Sequence, residues 1–149
     1  MGENANSVKD LNGFYFEDLK IGTTDEFSKT ISEADIQTFA DVSGDKNPVH
    51  LNPEYAKSTF FKGCIAHGIL TASFVSTVIG TRMPGPGCIY VAQNLKFKAP
   101  VRAGDTVKAV CTVTELNEKR KFAEIKTQCF VGDTLVVDGN ATIMVPARG

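Results

Sequence analysis

Neither positive nor negative charge is in excess in this chain. Sixteen Lys and Arg against 17 Asp and Glu leave a net charge of -1 over 149 residues, so there is no electrostatic footprint for nucleic acid, although local patches still allow anionic ligands. No apolar run reaches the about 20 residues that a bilayer span needs. The nearest, Gly68 to Gly80, is interrupted by Ser73, Ser76 and Thr77. The four cysteines (Cys64, Cys88, Cys111, Cys129) form no C-x-x-C pair, which points to reduced core thiols rather than a structural zinc site. The start Met1-Gly2-Glu3-Asn4 lacks the basic and apolar regions of a secretory signal, and no Ser or Thr stands where myristoylation requires one. A cytoplasmic protein with no membrane attachment is expected.

With 42% hydrophobic and 22% charged residues, the chain reads as one globular domain that buries roughly 70% of its unfolded surface. Residues 1–12 are polar and aperiodic, a flexible arm ahead of a single domain over 13–149. Thr24 to Thr30 reads as a strand. Ser32-Glu33-Ala34-Asp35 is a capping-box helix start whose helix stops at Gly44, and Asn52-Pro53 opens a second, short helix over Glu54 to Thr59. Gly68 to Gly80 is apolar or small nearly all the way round, the pattern of a helix buried on every side. After Pro84-Gly85-Pro86-Gly87 the segments Cys88 to Phe97, Thr106 to Leu116, Phe122 to Val131 and Thr134 to Val145 are rich in Val, Ile, Thr and Phe. They read as strands whose short connections make sequence neighbours antiparallel. The expected class is α+β: a long central helix wrapped by a curved antiparallel sheet.

The chain holds only two histidines. One lies in Gly44-Asp45-Lys46-Asn47-Pro48-Val49-His50, where the proline is expected to keep the segment from being helix. Imidazole beside carboxylate is suited to moving protons near neutral pH. The other histidine opens the central helix at Ala66-His67-Gly68, where a hydrogen-bonded structural role is the ordinary reading. From the residues alone, Asp45 and Asn47 are equally read as turn formers, Gly68 as a packing glycine, and Ser73 and Ser76 as satisfying their own helix carbonyls. Lys96, Lys98 and Arg102 form a basic cluster suited either to phosphates or to solvent.

Taken together, Asp18-Leu19-Lys20-Ile21-Gly22, the Gly44 to His50 segment, Ala66-His67-Gly68 and Gln93-Asn94-Leu95-Lys96-Phe97 resemble the MaoC-like hot-dog family. Within it the chain is most similar to (R)-specific enoyl-CoA hydratases. The resemblance implies a catalytic dyad of Asp45 and His50 and an oxyanion hole at the backbone N–H of Gly68, and it places Ser76 near the dyad as a substrate contact. Ile69 and Ile79 are expected to shape the substrate pocket, and Asn47 to brace its loop and meet the substrate. It implies no metal and no cofactor, an acyl-CoA substrate, and a homodimer or dimer of dimers joined sheet edge to edge. The expected reaction is reversible syn addition of water to trans-2-enoyl-CoA giving (R)-3-hydroxyacyl-CoA. Residues on one segment approach the alkene from one side only. Which member of the pair is base and which acid is left open. Three rivals stand beside this reading: dehydration of 3-hydroxyacyl groups on acyl carrier protein, hot-dog acyl-CoA thioesterase activity, and a non-catalytic acyl-thioester-binding subunit.

Overall fold

A computed structural model describes Val8 and residues 11–149. Most of the arm expected over residues 1–12 lies outside the described residues. From Gly13 onward the chain is tied down, because the Gly13 and Phe14 N–H groups donate to the Pro86 and Pro84 carbonyls.

After a single 3-10 turn at Phe16–Asp18, β1 (Thr24–Thr30) leads into α1 (Glu33–Ser43), the one-turn helices α2 (Pro48–Leu51) and α3 (Pro53–Lys57), and the central helix α4 (Gly68–Thr81). Four strands complete the chain: β2 (Ile89–Phe97), β3 (Thr106–Asn117), β4 (Phe122–Val131) and β5 (Thr134–Met144). Local chemistry accounts for the helix limits. The Ser32 hydroxyl accepts from the Asp35 N–H while the Asp35 carboxylate accepts from the Ser32 N–H, a reciprocal cap on α1. Gly44 closes that helix at φ +81, a left-handed turn that costs glycine nothing. The Asn52 side chain caps α3 by accepting from the Tyr55 N–H.

The five strands form one antiparallel sheet in the order β1-β3-β4-β5-β2. Strands β3, β4 and β5 follow one another as expected. The expectation fails for β2, which pairs with β5 rather than with its sequence neighbour β3. The connection over residues 98–105 crosses the end of the sheet. It is held by Lys98 N–H to Val136 O, Ala66 N–H to Val101 O and Gly104 N–H to Ile31 O, backbone bonds that a sequence pattern does not reveal.

Helix α4 lies against the concave face. Phe74, Val75, Val78 and Ile79 pack with Val107, Ala109, Cys111, Val113, Ala123, Ile125, Cys129 and Ile143, each large side chain contributing about 2 kcal/mol on burial. Alternation along β3 and β4 carries this face, and its small members (Ala109, Cys111, Ala123, Cys129) let the helix approach the sheet closely. Burial pushes the Cys111 and Cys129 thiols up to about 12, so both are inert core groups, while Cys64 and Cys88 are only half-buried.

The helix is not buried on every side as its composition suggests. Gly68, Ile69, Ser73, Ser76 and Gly80 form an exposed stripe, because one sheet covers only one flank. The two sheet edges also differ. Strand β1 carries Asp25, Glu26 and Lys29, which protect an open edge, whereas β2 exposes Ile89 (57%), Tyr90, Val91 (48%) and Phe97.

Candidate active site

The segment between α1 and α2 is shaped by its own side chains. Ser43 donates to Phe39 O at 2.6 Å and accepts from the Asp45 N–H at 3.1 Å. The Asp45 carboxylate accepts from the Asn47 N–H at 3.3 Å. Asn47 in turn caps α2, its side-chain oxygen accepting from the Val49 N–H at 3.1 Å. The expectation that Pro48 keeps this segment from being helix is therefore corrected: Pro48 is the first residue of α2, the position where its missing N–H has no intrahelical partner to lose. Asp45 stands on the loop, exposed, and His50 on the helical turn beyond it, half-buried.

Both imidazoles are fixed by backbone carbonyls. His50 Nδ1–H donates to Ile65 O at 2.8 Å, which leaves Nε2 with its lone pair free. His67, only 2% exposed, donates from Nε2 to Asp45 O at 2.9 Å. The rings stack with centroids 3.8 Å apart at 29°, and Phe39 packs on His67 at 4.8 Å. A carboxylate oxygen of Asp45 and a ring nitrogen of each histidine all lie within 4.8 Å of one another. Burial holds the His50 ring below the ordinary histidine range and the neighbouring His67 adds to this, while the Ile65 carbonyl and Asp45 oppose it. His50 Nε2 and His67 Nδ1 are the ring nitrogens left without a carbonyl partner, and the stacked rings do not have the arrangement of two ligands converging on one ion.

Gly68 follows His67 as the first residue of α4, so its N–H lies outside the helix's own ladder and at the positive end of its dipole. A Cβ there would stand 2.7 Å from two ring carbons of Phe97. Gly68, Ile69 and Phe97, with Phe60, Phe61 and Val136, line an apolar cavity of about 420 Å³. His50 borders a second cavity of about 360 Å³ shared with Glu33, Cys64 and Arg102. The strand of chain from Cys64 to Gly68 borders both.

The structure brings Asp45 and His50 together and sets Gly68 and Ile69 on the larger cavity. Ser76 lies on the exposed stripe of α4, two turns from Gly68, and lines neither cavity. Ile79 is fully buried in the core and lines neither cavity, so its effect on a ligand is indirect, through packing. Two residues named from the sequence have roles there that the sequence did not reveal. Phe97 ends a strand and gives no sign that it crosses over Gly68. Arg102 donates to Phe61 O at 2.6 Å and Cys64 O at 3.2 Å, bracing the loop that walls the larger cavity, whereas its neighbours Lys96 and Lys98 are exposed.

Known proteins resemble this chain in sequence and in fold. The family described as MaoC like domain matches residues 18–137. The chain is 57% identical over 143 residues to a protein from Rhodospirillum rubrum named (R)-specific enoyl-CoA hydratase, covering 96% of this chain and 99% of that one. It is 46% identical over 141 residues to a 3-hydroxybutyryl-CoA dehydratase from Methylorubrum extorquens, covering 95% and 90%. Among solved structures, the unliganded R-hydratase PhaJ1 from Pseudomonas aeruginosa superposes with a TM-score of 0.85 at 42% identity, covering 91% of this chain and 88% of that one.

Proposed function

This chain belongs to the MaoC-like family with a hot-dog fold, and on that premise we propose that it is an (R)-specific enoyl-CoA hydratase, a hydro-lyase acting reversibly on acyl-CoA thioesters. The observation that carries this reading is the meeting of the Asp45 carboxylate with the His50 ring beside the amino end of the buried helix.

The chemistry follows from which atoms are free. His50 has one available lone pair, on Nε2, because Nδ1 donates to Ile65 O. As a water oxygen bonds to C3 of the enoyl thioester, Nε2 takes one of its protons and the alkene electron pair moves towards the thioester oxygen. The Gly68 N–H and the helix dipole stabilise that developing charge, an effect worth roughly 3–4 kcal/mol for one donor in other enzymes. The imidazolium then returns its proton to C2, so that one molecule of water has been added and the enzyme is unchanged. Asp45 orients the water and stabilises the transient imidazolium. One proton carrier on one side of the alkene makes the addition syn. The apolar cavity behind Gly68 suits an acyl chain, with Ile69 on its wall. Asn47 acts by holding the loop, and Ser76 lies where a ligand running along α4 passes it.

A second copy of the chain completes the molecule. The unprotected β2 edge and the bare stripe of α4 adjoin through Phe97 and Gly68, and pairing two β2 edges covers apolar side chains that a lone subunit exposes. A homodimer, or a dimer of dimers, fits best; light scattering reads its mass. No helix among the described residues is long and apolar enough to cross a membrane, and free thiols suit a cytoplasmic protein.

The test is turnover of trans-2-enoyl-CoA with chiral analysis of the product. Formation of (R)-3-hydroxyacyl-CoA is expected. Release of free CoA thiol instead would indicate a thioesterase. A preference above about a hundredfold for the same acyl group on carrier protein would make it a carrier-protein dehydratase, and binding without turnover a non-catalytic subunit.

A further inference from the structure

His67 occupies the N-cap of α4, a place usually held by Ser, Thr, Asp or Asn, yet its side chain caps nothing. The ring instead reaches back to Asp45 O, and its Nδ1 is buried with no partner. This single contact has consequences for Asp45. Among the described residues, the other hydrogen bonds of Asp45 go only to Ser43, the last residue of α1, and to Asn47, and no ion pair holds its carboxylate. Among the described residues, the bond from His67 is the one long-range hydrogen bond of Asp45, and it comes from the residue that precedes Gly68. Contacts with Phe39 of α1 and His50 of α2 lock the ring in place.

Resting on the hydratase reading above, we propose that His67 is a positioning residue: its Nε2–H holds the Asp45 main chain so that the Asp45 carboxylate stays against His50 and in register with Gly68. A donor at the same reach preserves the arrangement, and a donor that falls short does not. Glutamine places its amide nitrogen near the position of Nε2, whereas asparagine stops near that of Nδ1.

The experiment compares H67Q and H67N in the full-length protein, each checked for folding by circular dichroism. H67Q should keep kcat within about threefold of wild type. H67N should lose about 10- to 100-fold in kcat with little change in KM, the scale expected when a catalytic group drifts by a fraction of an ångström to an ångström. A second reading needs no turnover: ¹⁵N NMR titration of His50. The groups around that ring are Asp45, His67, Glu33, Cys64 and Arg102, and both variants remove His67 equally while keeping the rest. The His50 midpoint should therefore lie lower in H67N than in H67Q, because the nearby Asp45 carboxylate raises it. Equal kcat and equal midpoints in the two folded variants would overturn the proposal. If H67N does not fold, H67L takes its place in the kinetic comparison under the same criteria. A wild-type protein without hydratase turnover sinks the functional reading instead, and the NMR comparison still decides the role of His67.

Discussion

Replacing Gly68 by alanine tests the oxyanion role and the packing role of that residue together. The added methyl would lie 2.7 Å from Cδ1 and Cε1 of Phe97, and carbon atoms settle at about 3.5–4.0 Å, so the ring or the helix start must yield by about 0.8 Å or more. Phe97 is half exposed, so its ring has room to swing outward. The stability cost should then sit near the low end of the range for overpacking, about 1 kcal/mol. Catalysis should suffer more. The methyl would crowd the approach to the N–H proposed to receive the thioester oxygen, and kcat should fall by up to about 10²–10³, the cost of losing one such donor. The assay follows loss of the conjugated enoyl absorbance in G68A, in F97A and in the double variant. If the methyl acts by blocking access to the N–H, G68A costs as much in the F97A background as in the wild type. Alanine keeps the N–H, so if G68A is harmless once Phe97 is gone, the loss is packing against Phe97 alone and the need for close approach of the thioester past a bare Cα is refuted.

Other perturbations separate chemistry from scaffold. H50A and D45A should each lower kcat by about 10²–10⁴ while melting within a few degrees of wild type, since Asp45 is exposed and His50 half-buried; full activity in either removes the dyad. The pH dependence has a definite sign. Burial lowers the His50 pKa in the folded protein, so its basic form persists below the ordinary value of about 6.5, and the acid limb of kcat/KM should lie below that pH. The unfolded chain takes up the proton first, so His50 also makes stability decline as pH falls through about 6.5. In D45N the residual activity should have its acid limb at still lower pH, because Asp45 favours the charged ring; a limb moving upward would contradict the assigned geometry. S32A removes the reciprocal cap of α1 and should cost about 1 kcal/mol, lowering the melting temperature by about 2–4 °C with kcat unchanged.

Much of the fold was legible because its signals are local. Ser32 and Gly44 bound a helix through hydrogen bonds and a dihedral that span four residues or fewer, and Phe122 to Val131 is a strand over the whole range expected. Pro48 was misread because proline forbids helix continuation but not initiation. Strand β2 was misplaced because partner choice depends on where the 98–105 crossing is tied, to Val136 and Ile31 far along the chain.

The sequence by itself determined which residue types were available for proton transfer: one acid and one imidazole five positions apart, followed by a second imidazole and a glycine at a helix start. It also determined that a helix with almost no polar face must be covered by something. Only the tertiary structure decided which ring nitrogen of His50 is free, that the His67 ring bonds to Asp45 O rather than capping its helix, that Phe97 lies over Gly68, and that Ile79 belongs to the core. The reason is range. Periodicity and capping act within a turn or two of backbone, whereas a ring's tautomer, a carbonyl's partner and a cavity wall depend on atoms brought together from segments 15 to 41 positions apart.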